Sequence, residues 1–209
     1  MVDAQLACAK SLHRGRARPR RRRRRERVPA WLCERAGDLV CVGGEANAWP
    51  YRSVERDTDY PDELVHWVAC RLLTGETFEL VIAPRSSLSS RTPVHLDLSQ
   101  GVLLAGEALS TFHERWRAFV RDTDVLCAWG PYAMGLLASE GGNLPPTCVD
   151  VRRLARDASG GKVGTIEEYR ATLGTPPSPR LGSGRAGARL AQLVEIVRSL
   201  AARAGEIAA

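Results

Sequence analysis

Residues 64–84 read LVHWVACRLLTGETFELVIAP, and this stretch decides the fold class. Leu64 to Leu73 is a nearly continuous apolar run, broken by the turn residues Thr74-Gly75-Glu76. Beyond the turn, Phe78, Leu80 and Ile82 alternate with Glu79 and Val81, and Pro84 closes the segment. An apolar run, a glycine turn and a period-two partner predict a β-hairpin with strands over 64–73 and 77–83.

On the C-terminal side, a Ser-rich loop over 84–101 carries His95 and Asp97. Leu109, Phe112, Trp116 and Phe119 then recur at spacings of three, four and three, one apolar stripe of a helix over about 107–120. VLCAW at 125–129 predicts a short strand. Gly130-Pro131 fits the turn into a helix that carries Met134, Leu136 and Leu137 and ends near Gly141-Gly142. A strand edge at 147–150 leads into a helix over about 150–157, and Thr165 with Glu168 forms a capping box before another. After a loop over 174–187, Leu190, Leu193, Val194, Val197 and Leu200 predict a final amphipathic helix.

On the N-terminal side, YRSVE at 51–55 predicts a first strand and RDTDYPD at 56–62 a polar loop. Residues 29–50 have no clear period and read as an appendage or linker. Strands alternating with helices predict an α/β chain, with a mixed sheet flanked by helices in a single domain over 51–203.

The chain has 209 residues and a formal charge of +6, unevenly spread. Residues 1–30 hold eleven positive residues against Asp3 and Glu26, a net of +9, so the rest is mildly acidic. Residues 1–28 predict a disordered tail, because its arginines repel one another and no apolar period opposes them. Arg21, Arg22, Arg23, Arg24 and Arg25 are its densest run, suited to phosphate contact without sequence preference. The chain also has 28 Arg against two Lys, a coding bias that produces such runs without selection.

No run of 18 apolar residues occurs, which argues against a membrane span. No apolar segment follows the basic one as in a secretory signal. The six cysteines form no CxxC pair. Cys70 and Cys127 sit in apolar runs and read as buried thiols, so a reducing, cytoplasmic location is expected. A nucleophile elbow, a phosphate-binding P-loop and a dinucleotide GxGxxG are absent. GSGRAG at 182–187 follows a Pro-rich loop rather than a strand, and reads as a loop entering a helix. None of the four histidines stands near a nucleophile in a known pattern.

Acidic residues near predicted strand ends are the chemical candidates: Glu55, Asp57, Asp59, Asp97, Asp122, Asp124 and Asp150. Carboxylates converging from several strand ends hold paired Mg²⁺ or Mn²⁺ ions. Each is equally a turn or cap residue.

Taken together, these pieces resemble the DnaQ-like (DEDD) 3′–5′ exonucleases. Asp62-Glu63-Leu64 is similar to the start of that family's second strand, Gly75 to its hairpin turn and Pro84 to the end of its third strand. WRAFV followed by VLCAWGPYAMGLL is similar to the family's "FxxFV…VLVAHNxxFDxxxL". CVDVRRLAR resembles the next Asp-bearing segment, and GRAGARLAQLVEIV resembles "HRALDDARxxAxLV". The resemblance implies a ribonuclease H-like fold. It also implies a site where carboxylates hold two metal ions and a histidine takes a proton from water.

Most of that site does not carry over. The first motif is matched to Ser53-Val54-Glu55, which leaves Glu55 as the remnant metal ligand. Ala133, or Tyr132 by a slip of one, stands at the second motif. Gly184 stands at the histidine, and Ala188-Arg189 at the Asp-Asp pair. The expectation is a catalytically degenerate domain without a cofactor, binding DNA, RNA or a protein partner, with Arg185 and Arg189 placed to hold a phosphate. The alternative is an active Mg²⁺- or Mn²⁺-dependent exonuclease in which Asp57, Asp59, Asp97 and Asp150 replace the missing ligands.

Overall fold

The computed structural model describes residues 28–47 and 62–208. The Arg-rich run, the YRSVE segment and Asp57 and Asp59 lie outside the described residues.

A short helix α1 (Trp31–Glu34) and a 3₁₀ turn (Ala36–Asp38) lead into strand β1 (Leu39–Asn47). The predicted hairpin follows as β2 (Glu63–Arg71) and β3 (Thr77–Val81), with Gly75 at φ +72° in its turn. Helices α2 (Thr92–Leu96), α3 (Gln100–Leu104) and α4 (Leu109–Phe119) precede β4 (Val125–Ala128). The chain continues through α5 (Tyr132–Ser139), β5 (Thr147–Asp150), α6 (Val151–Ser159), α7 (Ile166–Ala171) and the long α8 (Gly184–Ala208).

The strands form one mixed sheet in the order β3-β2-β1-β4-β5. β1 pairs antiparallel with β2 and parallel with β4, and β5 pairs parallel with β4. The hairpin therefore lies at one side, and the middle strand comes from the segment expected to be an appendage or linker. That expectation and the start of the domain at 51 are corrected. The first strand is Leu39–Asn47, and Val28 and Leu32 are already buried in the core. At its far end the fold continues past 203, because α8 runs to Ala208.

Strand alternation sorts the core into two layers. Leu39, Cys41, Val68 and Cys70 face α6, α7 and α8. Val40, Val42, Trp67 and Ala69 face α4 and α5. The α4 stripe is the centre of the second layer. Phe112 and Trp116 are fully buried, and Leu109 and Phe119 cover their edge. Trp116 meets Trp67 at 5.4 Å and Phe78 at 5.5 Å in edge-on contacts, and its indole donates to the Asn143 carbonyl at 2.8 Å.

Two polar knots fix the sheet ends. Arg71 donates to both carboxylate oxygens of buried Asp124, at 2.7 and 3.0 Å, and to the Phe119 carbonyl at 2.6 Å. Asp124 is thereby a structural partner of β2 and not a site carboxylate. At the other end, Asn47 donates to Glu63 at 2.8 Å and accepts from the Ser89 amide and the Thr92 hydroxyl. This ties the Ser-rich loop to the end of β1 and sets α2 in place. The stretch over 84–101, expected to be loop throughout, thus contains α2 and the start of α3.

Candidate functional site

β1 and β4 run parallel, so their C-terminal ends open on the same edge of the sheet. Ligands of α/β sheets bind outside such ends, where neighbouring strands change direction. Here a cleft of about 270 Å³ is bounded by Gly43-Gly44-Glu45 of β1, Trp129 after β4, and Tyr132 and Ala133 of α5. Arg152 of α6, Ile166 of α7, and Ala186, Arg189 and Leu190 of α8 complete its wall.

The carboxylate that the structure brings to this cleft is Glu45. Glu55 lies outside the described residues, and the expectation that Ser53-Val54-Glu55 ends the first strand is corrected by β1 at Leu39–Asn47. Gly43-Gly44-Glu45 has the spacing of Asp-x-Glu with glycine for the aspartate. Gly43 is tightly covered, because a Cβ there would stand 3.2 Å from a Val68 methyl. Glu45 is buried, with Oε2 3.8 Å from Arg185 Nη1. Burial pushes its carboxyl up, the guanidiniums of Arg185 and Arg189 oppose this, and Glu167 adds to the rise.

Arg185 and Arg189 fall one turn apart near the start of α8, and the charge of both reaches that carboxylate. Arg185 also contacts both ring nitrogens of His95. Partial burial, then the two guanidiniums, pull the His95 imidazole down. Arg189 Nε lies 3.2 Å from Glu167 Oε1, close enough for an ion pair but outside hydrogen-bond geometry. Arg152 has no ion pair among the described residues.

Gly184 shows why no histidine can stand at this end of α8. Its φ is +56°, and a Cβ would meet the Leu96 carbonyl oxygen at 2.4 Å. The turn is closed over by the end of α2, so an imidazole has no room.

The remaining expected carboxylates have other partners. Asp97, in left-handed conformation after α2, pairs with Arg180 at 2.9 Å on the surface. Asp150 caps α6 through the Arg153 amide and accepts from the Gly130 amide. Asp122 is exposed. Neither Asp97 nor Asp150 lines the cleft.

Among the described residues, no group of three or more His, Cys, Asp or Glu side chains comes together to hold a metal ion. Two divalent ions need several anionic oxygens. One carboxylate, a methyl at Ala133 and the guanidiniums of Arg185 and Arg189 do not fit such a pair.

A second buried cluster lies on β2 and β3. His66, fully buried, shares its Nε2 with Glu79 Oε1 at 3.0 Å, and Glu79 accepts from the amide and hydroxyl of Ser183 just before α8. Burial pulls the His66 imidazole down, partly opposed by Glu79. Burial alone would raise the Glu79 carboxyl, but Ser183 and His66 together hold it below the usual range. The cluster anchors the loop that presents Arg185.

No protein-family profile matches the chain, and no curated protein matches it in sequence. Solved structures do match. The nuclease domain of 3′hExo, a DEDDh family member, bound to rAMP, is 14% identical with a TM-score of 0.59, over 78% of this chain and 90% of that one. Exonuclease X in complex with 5′ overhanging duplex DNA is 11% identical with a TM-score of 0.53, over 77% and 92%. The S. pombe Pop2p structure, Mg²⁺ and Mn²⁺ bound, is 11% identical with a TM-score of 0.53, over 80% and 84%. The chain has the ribonuclease H-like fold of the DEDD, DnaQ-like 3′–5′ exonucleases.

Proposed function

We propose that this protein is an exonuclease-like domain that has lost hydrolysis and retains nucleic-acid binding at the strand-end cleft. The observation that carries this reading is the exchange of charge at the cleft. Glu45 stands with Arg185 and Arg189, where metal-dependent cleavage needs several carboxylates. A guanidinium attracts phosphate directly and repels a divalent cation.

The Arg-rich run Arg21–Arg25 supplies sequence-independent affinity in this reading, and the cleft supplies recognition of the strand. A cytoplasmic setting fits the free thiols of Cys41, Cys70 and Cys127, all buried. Among the described residues no helix is long and apolar enough to cross a membrane.

The test is an assay of the full chain with end-labelled single-stranded DNA and RNA in Mg²⁺, Mn²⁺ or EDTA. Binding without trimming is expected in all three. Trimming that EDTA abolishes and Glu45→Gln removes would establish the alternative of an active enzyme with displaced carboxylates. Absence of any nucleic-acid binding would leave the fold serving a protein partner.

A further inference from the structure

Resting on that reading, we propose that the outer face of α6 and the loop after it form a basic rim, which carries the phosphate backbone of a nucleic-acid strand leading out of the cleft. Placement, unmatched charge and the absence of apolar anchors point to this surface and this partner.

β5 runs parallel to β4, so α6 starts at the edge of the sheet where the cleft opens. Arg152, in its first turn, is part of the cleft wall. Arg153 and Arg156 are exposed on the same side of the helix, since positions 152, 153 and 156 fall within about 100° of one another. Val151, Ala155 and Ala158 on the opposite side are buried. Lys162, also exposed, follows in the loop just before Gly164, where the chain returns to the cleft.

This face is short of acid. Residues 151–162 hold four cations against Asp157 alone. Arg170 of α7 and Arg185 and Arg189 of α8 each stand against a carboxylate. Arg152, Arg153 and Lys162 have no ion pair among the described residues, and Arg156 has its neighbour Asp157 at 3.7 Å. The helix itself gains nothing from this arrangement. Its first turn holds no acid, although the positive end of a helix dipole favours carboxylates there and disfavours Arg152 and Arg153.

The face also lacks anchors for a protein. The large exposed hydrophobics among the described residues are Leu73, Val94, Val102, Leu104 and Tyr132, and all lie off α6. Protein partners dock on buried aromatic and aliphatic anchors inside a polar rim. A phosphate backbone needs only repeated cations. Arg152 and Arg156 stand about 6 Å apart along the helix axis, and each guanidinium can grip two oxygens of a phosphate.

The experiment titrates the full chain in EDTA, over a range of salt, with single strands of about three and about twelve nucleotides and with a polyglutamate peptide. The longer strand is expected to bind tighter. The triple variant Arg153→Gln, Arg156→Gln and Lys162→Gln spares Arg152 in the cleft and changes exposed side chains only, so its thermal melt should match the parent's. It should lower the salt slope for the longer strand by about 2, at about 0.7 per phosphate contact, and lower its affinity at least about tenfold at low salt. Binding of the short strand should change little. The charge-retaining variant Arg153→Lys with Arg156→Lys should keep the parent's slope. Replacing Arg21–Arg25 by serine in both parent and triple variant should leave the difference between them intact. An unchanged affinity and slope in the triple variant overturns this inference and leaves binding at the cleft standing. Polyglutamate that binds tighter than the longer strand, and loses that binding in the triple variant, overturns it in favour of an acidic protein segment. Failure of both strands to bind the parent overturns the proposed function itself.

Discussion

Gly184→Ala adds one methyl group where the structure has no space. Gly184 begins α8 at φ +56°, a conformation that costs an L side chain about 1–2 kcal/mol. The new Cβ would also lie 2.4 Å from the Leu96 carbonyl oxygen and 3.0 Å from Leu98 Cγ. Leu96 is fully buried and ends α2, so it cannot simply swing away. Overpacking of this kind costs about 1–3 kcal/mol. The two effects together predict a loss of about 2–5 kcal/mol in urea melts. The control is Gly135→Ala in α5, where a Cβ meets nothing within 4 Å and φ is ordinary. That substitution should stabilise the protein by up to about 1 kcal/mol through helix propensity. Gly184→His should be at least as damaging as Gly184→Ala and should restore no cleavage. If Gly184→Ala costs less than about 1 kcal/mol, well below the sum of these terms, the argument that the histidine position is sterically closed fails.

Three further outcomes follow from the packing and the charges. Trp116→Ala empties the centre of the aromatic layer and should cost about 3–5 kcal/mol in denaturant melts, while a loss below about 1 kcal/mol would mean the α4 stripe is not core. Asp124→Ala takes the buried carboxylate from the Arg71 guanidinium and leaves it only the half-exposed Glu76 as a charged partner, at a cost of about 3 kcal/mol, and the double variant with Arg71→Met should recover much of it. Acidification should weaken the fold in two stages. His66 resists protonation when folded, so stability falls as pH drops below about 6.5. Glu79 is held ionised when folded, so a second fall follows below about 4.5. Melts of His66→Gln across this range should shrink the first stage to the share that His95 contributes and keep the second.

Much of the fold was legible because local patterns and tertiary structure agree. The hairpin carries a glycine turn between apolar runs, α4 has an unbroken stripe, and the Thr165–Glu168 capping box forms as read. β1 was not legible for a physical reason. Only Leu39 to Val42 is a plain apolar run, and Gly43-Gly44 reads as a turn. Gly44 is glycine because Trp67 packs against its backbone, where a Cβ would stand 2.9 Å from the indole. That demand comes from a neighbouring strand and leaves no trace in local periodicity. α2 and α3 span five residues each, too few to show a period. At the site, Arg185 and Arg189 were found through the resemblance of the last helix. Glu45 was missed together with its strand, although an apolar run ending in Gly-Gly-Glu was a signal available in the sequence.

The changes at the cleft support one another, which argues against a simple loss of one catalytic residue. Arg189→Asp alone would remove a cation from beside Glu45, yet Arg185 would remain 3.8 Å from that carboxylate. Gly43→Asp alone would press its Cβ to 3.2 Å from a Val68 methyl and still leave Ala133 without a carboxylate. At Gly184 the backbone itself has closed over the space a side chain would need. Each reversion leaves too few anionic oxygens to neutralise two divalent ions, so none should restore metal binding. A buried carboxylate is costly without a cation. Arg185 and Arg189 supply the positive charge that Glu45 needs in that place, which is why the cleft is built as a charge-balanced site and not as a cage for two divalent ions.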